Sequence, residues 1–119
     1  MMPTATEIRL RKADRVLEVA FDDGAAFSLP AEYLRVESPS AEVQGHSPDQ
    51  RQLVAGRRHV GIMAIEPVGN YAVRLVFDDL HDTGIYSWEY LHQLGREQAR
   101  RWASYLDELA ARGMSRDPG

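Results

Sequence analysis

Glu7-Ile8-Arg9-Leu10-Arg11-Lys12-Ala13-Asp14-Arg15-Val16-Leu17-Glu18-Val19-Ala20-Phe21-Asp22-Asp23-Gly24-Ala25-Ala26-Phe27-Ser28-Leu29 is the stretch that decides the fold class. Ile8 and Leu10 alternate with charged residues, and Leu17, Val19 and Phe21 alternate again after the short polar break Ala13-Asp14. A period of two puts the apolar set on one face of a half-buried strand. Asp22-Asp23-Gly24 is a turn, because glycine reaches positive φ without a steric penalty. Ala25 to Leu29 returns as a third strand, so the first thirty residues predict an antiparallel meander.

Outward from it, Pro30 suits a helix start, where its fixed φ helps and its missing N–H is not needed. Ala31 to Arg35 then gives one or two turns. Val36 to Gly45, with Ser38-Pro39-Ser40, reads as loop, and Asp49 to His59, with Arg51, Arg57 and Arg58, as an exposed connection. Val60 to Ile65 is apolar, Pro67-Val68-Gly69-Asn70 is a turn, and Tyr71, Val73, Leu75 and Phe77 alternate as the returning strand. Gly84 to Trp88 is a short strand, and Ser87 caps a helix over Trp88 to Leu94. Beyond Gly95, residues 96–112 follow a helical period with Ala99, Trp102, Ala103, Leu106, Leu109 and Ala110 on one face, closed by Gly113. The expected fold is α+β: a small twisted antiparallel sheet with short helices and a C-terminal helix packed on it.

At 119 residues the chain fits one domain over 1–113 with a flexible tail over 114–119. With no cysteine, disulfides, thiolate–zinc sites and cysteine nucleophiles are excluded. The start Met1-Met2-Pro3-Thr4-Ala5-Thr6-Glu7 shows no secretory core, and no apolar run reaches the roughly 20 residues of a membrane helix. A cytoplasmic location without membrane association is expected. A net charge of −4 argues against nucleic acid as the main partner.

No complete catalytic set is visible. Asp82-Thr83-Gly84 matches one half of an aspartic-protease pair, but its flank Asp78-Asp79-Leu80-His81 is polar where that chemistry needs an apolar strand. Its plainer reading is a turn before a strand. His46, His59, His81 and His92 lack metal-ligand spacing, and His92 reads as a surface residue. None of Ser38, Ser40, Ser47 and Ser87 lies in a nucleophile elbow, and no phosphate-binding glycine loop occurs. Tyr86, Trp88 and Tyr90 crowd one stretch, with core packing favoured over a binding role, as for Trp102.

Two stretches carry a family likeness: Leu29-Pro30-Ala31-Glu32-Tyr33-Leu34-Arg35-Val36-Glu37-Ser38-Pro39-Ser40-Ala41-Glu42-Val43-Gln44-Gly45-His46, and Phe77-Asp78-Asp79-Leu80-His81-Asp82-Thr83-Gly84-Ile85-Tyr86-Ser87-Trp88-Glu89-Tyr90-Leu91. With the meander they resemble the gamma-butyrobetaine hydroxylase-like N-terminal domain family over residues 5–95. The resemblance implies a bacterial stand-alone domain of unknown function. It also implies kinship with modules that precede iron- and 2-oxoglutarate-dependent oxygenase domains or are fused to P-loop carriers of iron–sulfur clusters. In the oxygenases such a module holds structural zinc through three cysteines and a histidine. Here the resemblance places those positions on Ser38, Ser40, Val43 and His81. Neutral hydroxyls and an isopropyl group cannot replace thiolates, so no metal and no cofactor are expected.

The function expected from this is a non-catalytic accessory or protein-binding module, linked by the resemblance to iron–sulfur or other metal-related processes. Its contact surface would run through Arg35, Ser38, Ser40, His46, His81, Asp82, Tyr86 and Trp88, toward an unidentified protein partner. A rival reading is a ligand-binding protein or enzyme using His81 and Asp82 as an acid–base pair. Another is a metal-responsive module using His46, His81 and nearby carboxylates. A homodimer through free strand edges is a further option.

Overall fold

A computed structural model describes residues 3–118; Met1, Met2 and Gly119, which belong to the expected domain start and tail, lie outside the described residues. The opening meander forms as its alternation requires: β1 (Ala5–Arg11), β2 (Val16–Phe21) and β3 (Ala26–Pro30) pair antiparallel in that order. A second meander joins β4 (Ile62–Val68), β5 (Ala72–Phe77) and β6 (Ile85–Ser87). The α+β class holds, with the antiparallel strands shared between two three-stranded sheets. In both central strands the alternate residues are buried: Leu17, Val19 and Phe21 in β2, Val73, Leu75 and Phe77 in β5. These two inner faces contribute to one core cluster with Leu29, Tyr33, Leu34, Tyr86, Leu91 and Leu94.

Helix α1 (Ala31–Val36) sits inside this core. All six residues are buried, and burial continues through Glu37 and Ser38. A short helix buried on every side must find partners for its last carbonyls, because no water reaches them. Tyrosines supply two of them: Tyr86 OH donates to Leu34 O at 2.5 Å, and Tyr90 OH to Glu37 O at 2.5 Å. Tyr33 OH in turn donates to Leu94 O at 2.7 Å, tying the helix to α3 (Trp88–Arg96).

The charges of this segment are each met by an opposite charge. Glu32 takes a two-pronged bond from Arg116 at 2.7 and 2.8 Å. Arg35 Nε donates to Asp79 at 2.8 Å, and Glu37 accepts from Arg101 at 2.9 Å.

Several elements depart from the sequence pattern. The loop at 36–45 contains a short helix, α2 (Ala41–Gln44), whose N-cap Ser40 accepts from Glu42 N. Residues 49–59 are not simply exposed: Leu53, Val54 and Ala55 pack beside Val36, Tyr105 and Leu109, and Arg57 bonds Asp79. Helix α3 runs through Gly95 to Arg96 instead of breaking there. Gly95 is required by packing, since a Cβ at that position would lie 2.3 Å from the Phe27 ring.

Helix α4 (Gln98–Ala111) buries Tyr105 and Leu109 and half-buries Trp102, while Ala99, Ala103, Leu106 and Ala110 face outward. Its inner face is therefore rotated from the expected one, because Tyr105 reaches Val54 O at 2.6 Å and Arg101 reaches Glu37. His92 is buried rather than a surface residue. Its ring packs on Phe21 and Phe27, and Nε2 lies 2.8 Å from Asp23.

Gly113, at φ 65°, ends α4 with paired bonds from Gly113 N to Ala110 O and Met114 N to Leu109 O, the Schellman arrangement. The chain beyond it returns to the fold. Gly56 N donates to Ser115 O, Arg58 N donates to Arg116 O, and the Arg116 guanidinium lies over Trp102 at 5.1 Å. Arg116→Ala strands the buried Glu32 carboxylate and should lower the unfolding free energy in urea by about 2 kcal/mol or more. The exposed Arg112→Ala should change it by less than about 0.5 kcal/mol.

Candidate functional site

Two loops meet beside the end of α1. The first, residues 37–44, brings Ser38, Ser40 and Glu42; the second, residues 78–84 between β5 and β6, brings Asp79, His81 and Thr83. Ser38 Oγ and His81 Nε2 are 2.8 Å apart, and the opposite ring nitrogen, Nδ1, faces Glu42 Oε2 at 3.1 Å. Ser40 Oγ bonds Thr83 Oγ1 at 2.7 Å, Ser40 N–H donates to Ser38 Oγ at 3.3 Å, and Gln44 Nε2 donates to Ser38 O at 2.8 Å. A glycine is needed at 84 because a Cβ there would stand 2.7 Å from Ser38 Oγ and 3.0 Å from the Tyr86 ring.

The protonation states follow from this geometry. Burial, assisted by the nearby Arg35 charge, lowers the His81 pKa against the opposite pull of Glu42 and Asp79, so the ring is neutral at pH 7. A carboxylate only accepts, which puts the ring proton on Nδ1 toward Glu42. Nε2 is then an acceptor, and Ser38 O–H donates to it.

Asp79 anchors the second loop. Arg35 Nε and Arg57 Nε donate to its Oδ2 at 2.8 and 2.7 Å, and the His81 N–H donates to Oδ1 at 3.2 Å. Burial by itself would raise the Asp79 pKa, but these bonds outweigh it and hold the carboxyl below its ordinary range. Arg35 Nη1 is buried without a protein partner among the described residues. Burial also pushes the Tyr86 phenol far up, so it stays a neutral donor.

The order Ser–His–carboxylate is that of an acyl-transfer triad. Ser38, however, is 0% exposed and is packed against Gly84 and Tyr86, leaving no approach for a carbonyl carbon to Oγ. What this arrangement does chemically is hold two loops together.

The structure thus brings five of the expected surface residues together, but as an interior cluster: Arg35, Ser38, Ser40, His81 and Tyr86 are all buried and cannot offer a contact surface. Asp82 is half-exposed beside Arg74 and does not partner His81. His46 is exposed, with its backbone N–H donating to Gln50 Oε1, and has no part in the cluster. Trp88 opens α3, and its indole donates to Asn70 O at 2.9 Å. Asp79, two residues before His81, joins the cluster through a local turn bond to the His81 N–H, whereas Glu42 and Thr83 complete it without any local signal in the sequence.

Structural zinc of the kind the family likeness implies for cysteine-bearing modules does not fit these residues. Both serine hydroxyls are engaged in neutral hydrogen bonds, and Val43 is 2% exposed with no donor atom. Among the described residues no group of three or more His, Cys, Asp or Glu is placed to hold a metal ion, and no helix is long and apolar enough to cross a membrane.

Two antiparallel meanders locked around one buried helix by a serine–histidine clasp define a small α+β module. Two proteins with NMR solution structures share that fold. One is 46% identical with a TM-score of 0.86, over 100% of this chain and 94% of its own. The other is 50% identical with a TM-score of 0.84, over 98% and 87%. A crystal structure of a protein of unknown function from Acidithiobacillus ferrooxidans, belonging to the DUF971 family, is 43% identical with a TM-score of 0.65, over 77% of this chain and 92% of its own. No curated protein matches. The chain belongs to the family described as gamma-butyrobetaine hydroxylase-like, N-terminal, which matches residues 8–92.

A titration follows from the clasp. The unfolded chain accepts a proton at His81 near pH 6.5, whereas the folded chain resists it to lower pH. The His81 contribution is full above that value and is lost as pH falls through the depressed folded value; that of Asp79 is lost only in a lower, carboxylate window. Urea unfolding should therefore show stability falling as the pH drops below the ordinary histidine value, and His81→Gln should flatten that fall. An unchanged slope in the variant contradicts the assignment.

Proposed function

We propose that this chain is a non-catalytic binding module that presents the turn between β5 and β6 to a protein partner. The observation that carries this reading is Leu80, which is 87% exposed at φ 73°. Left-handed backbone costs a non-glycine residue roughly 1 kcal/mol, and an exposed leucine recovers nothing from solvent. Arg15 shares this backbone in the β1–β2 turn at φ 55°, but only at Leu80 does it hold a large apolar side chain in solvent, and that combination supports a contact role.

Both neighbours fix the leucine in place. Asp79 is held by two arginines, and His81 is buried in the clasp. A knob presented this rigidly loses little conformational freedom on docking. Asp78 is exposed and Asp82 half-exposed on either side, so the matching surface is an apolar pocket with a basic rim. On this reading the clasp is scaffold, and its serine and histidine touch no substrate. A cytoplasmic role in iron–sulfur or other metal-related processes rests on the companions of the family's modules alone, an association rather than a physical argument.

Wild-type and Leu80→Asp chains, used as baits in extract of the native host and read by quantitative mass spectrometry, test the proposal. The expected result is a protein retained by the wild type and lost by the variant, with melting temperatures matched. Leu80→Gly should unfold at higher urea, by up to about 1 kcal/mol, while losing the same protein. Identical retained sets for all three baits contradict the proposal.

A further inference from the structure

Between the α1–α2 loop and α4 lies a cleft of about 530 Å³. That falls within the roughly 300–1,000 Å³ of small-molecule sites. Tyr90 and Tyr105 contribute to its lining, but their hydroxyls are engaged elsewhere, on Glu37 O and Val54 O. Burial raises both phenols to about 12, so the rings stay neutral.

The polar lining is rich in donors. Arg101 is committed, with Nη1 on Glu37 at 2.9 Å and Nε on Glu97 at 2.8 Å. Arg51 is held more loosely, by ion pairing without a hydrogen bond: Glu37 and Glu108 stand 3.6 and 3.7 Å from its guanidinium. Arg100 gives one bond to Glu97 and is 71% exposed, and Ser104 adds a hydroxyl to the same space. Two guanidinium forks thus border a cleft with aromatic lining and keep unused N–H groups. Carboxylates and phosphates fit such forks two-pronged.

We propose that this cleft binds a small organic anion, its carboxylate or phosphate head taken by Arg51 and Arg100 and its body laid against the half-buried Tyr90 ring. Glu108 is the competitor within the site, since it is half-exposed and holds Arg51 only loosely. Removing its charge frees Arg51 for the ligand, an effect that a purely structural role for the arginine does not produce. The cleft is lined by neither Leu80 nor its flanking aspartates, so this inference stands apart from the protein-binding reading.

The test is a titration of the ¹⁵N-labelled full chain at low salt, with phenyl phosphate and succinate as separate probes and inorganic phosphate as the bodiless control. The expected result is saturable shifts of the Arg51, Arg100 and Ser104 amides by at least one organic probe, with a Kd below about 1 mM. Saturation by both probes assigns the site to oxyanions in general, and saturation by one assigns the head group. Inorganic phosphate should bind about tenfold more weakly, Arg51→Ala and Arg100→Ala should each weaken the organic probe about tenfold, and Glu108→Gln should tighten it. Because Arg100 is mostly exposed, its variant keeps the test valid if Arg51→Ala perturbs the fold. Shifts that stay linear with both organic probes to about 10 mM, or an affinity unmoved by the Arg100 and Glu108 substitutions, overturn the proposal.

Discussion

Burying a charged six-residue helix is the constraint on which the rest of this structure depends. Glu32, Arg35 and Glu37 are each at most 8% exposed. An unpaired ion at any of these positions would cost several kcal/mol, so each must be met by an opposite charge from elsewhere in the chain. The tail sends Arg116, the β5–β6 turn sends Asp79, and α4 sends Arg101. The carbonyls of Leu34 and Glu37 impose the same demand and are met by Tyr86 and Tyr90. Elements far apart in sequence are thereby drawn to one segment, with directed bonds adding register to hydrophobic burial.

The clasp extends this logic by one residue. Ser38 continues the buried segment beyond the helix and donates a hydrogen bond to a neutral His81, whose other nitrogen faces Glu42. A metal in this place would fix the two loops by coordination. Here the same loops are joined by small neutral bonds, each contributing on the order of 1 kcal/mol, supplemented by the Arg35–Asp79–Arg57 chain. The β5–β6 turn consequently has a rigid base, and Leu80 stands out from it in a backbone conformation that leucine seldom adopts.

What the sequence made legible was whatever is settled within one element or across one turn. The alternation of Leu17, Val19 and Phe21 marks a strand because the period of two is a property of the strand itself. Ser87 marks the start of α3 because its partner, Tyr90 N, is three residues away. The burial of α1 was not legible, since Ala31-Glu32-Tyr33-Leu34-Arg35 carries charges whose partners lie 84 and 44 residues distant for Glu32 and Arg35. Gly95 gave a false break because its purpose, admitting the Phe27 ring, is tertiary. In the candidate site, the family likeness placed Ser38 and His81 in one cluster, and the structure has them in contact. It could not tell that most of the cluster is interior, and it offered nothing for Glu42 or Thr83, which are ordinary polar residues until the loops meet.

The measurement that bears most directly on this account is a double-mutant cycle between Ser38→Ala and His81→Phe, read by urea unfolding at pH 7.5. Direct bonding across the two loops predicts a coupling of about 1 kcal/mol or more, the double variant losing clearly less than the sum of the single losses. Losses that add to within about 0.3 kcal/mol would mean that the loops are held by something other than this contact, and the clasp would have to be abandoned.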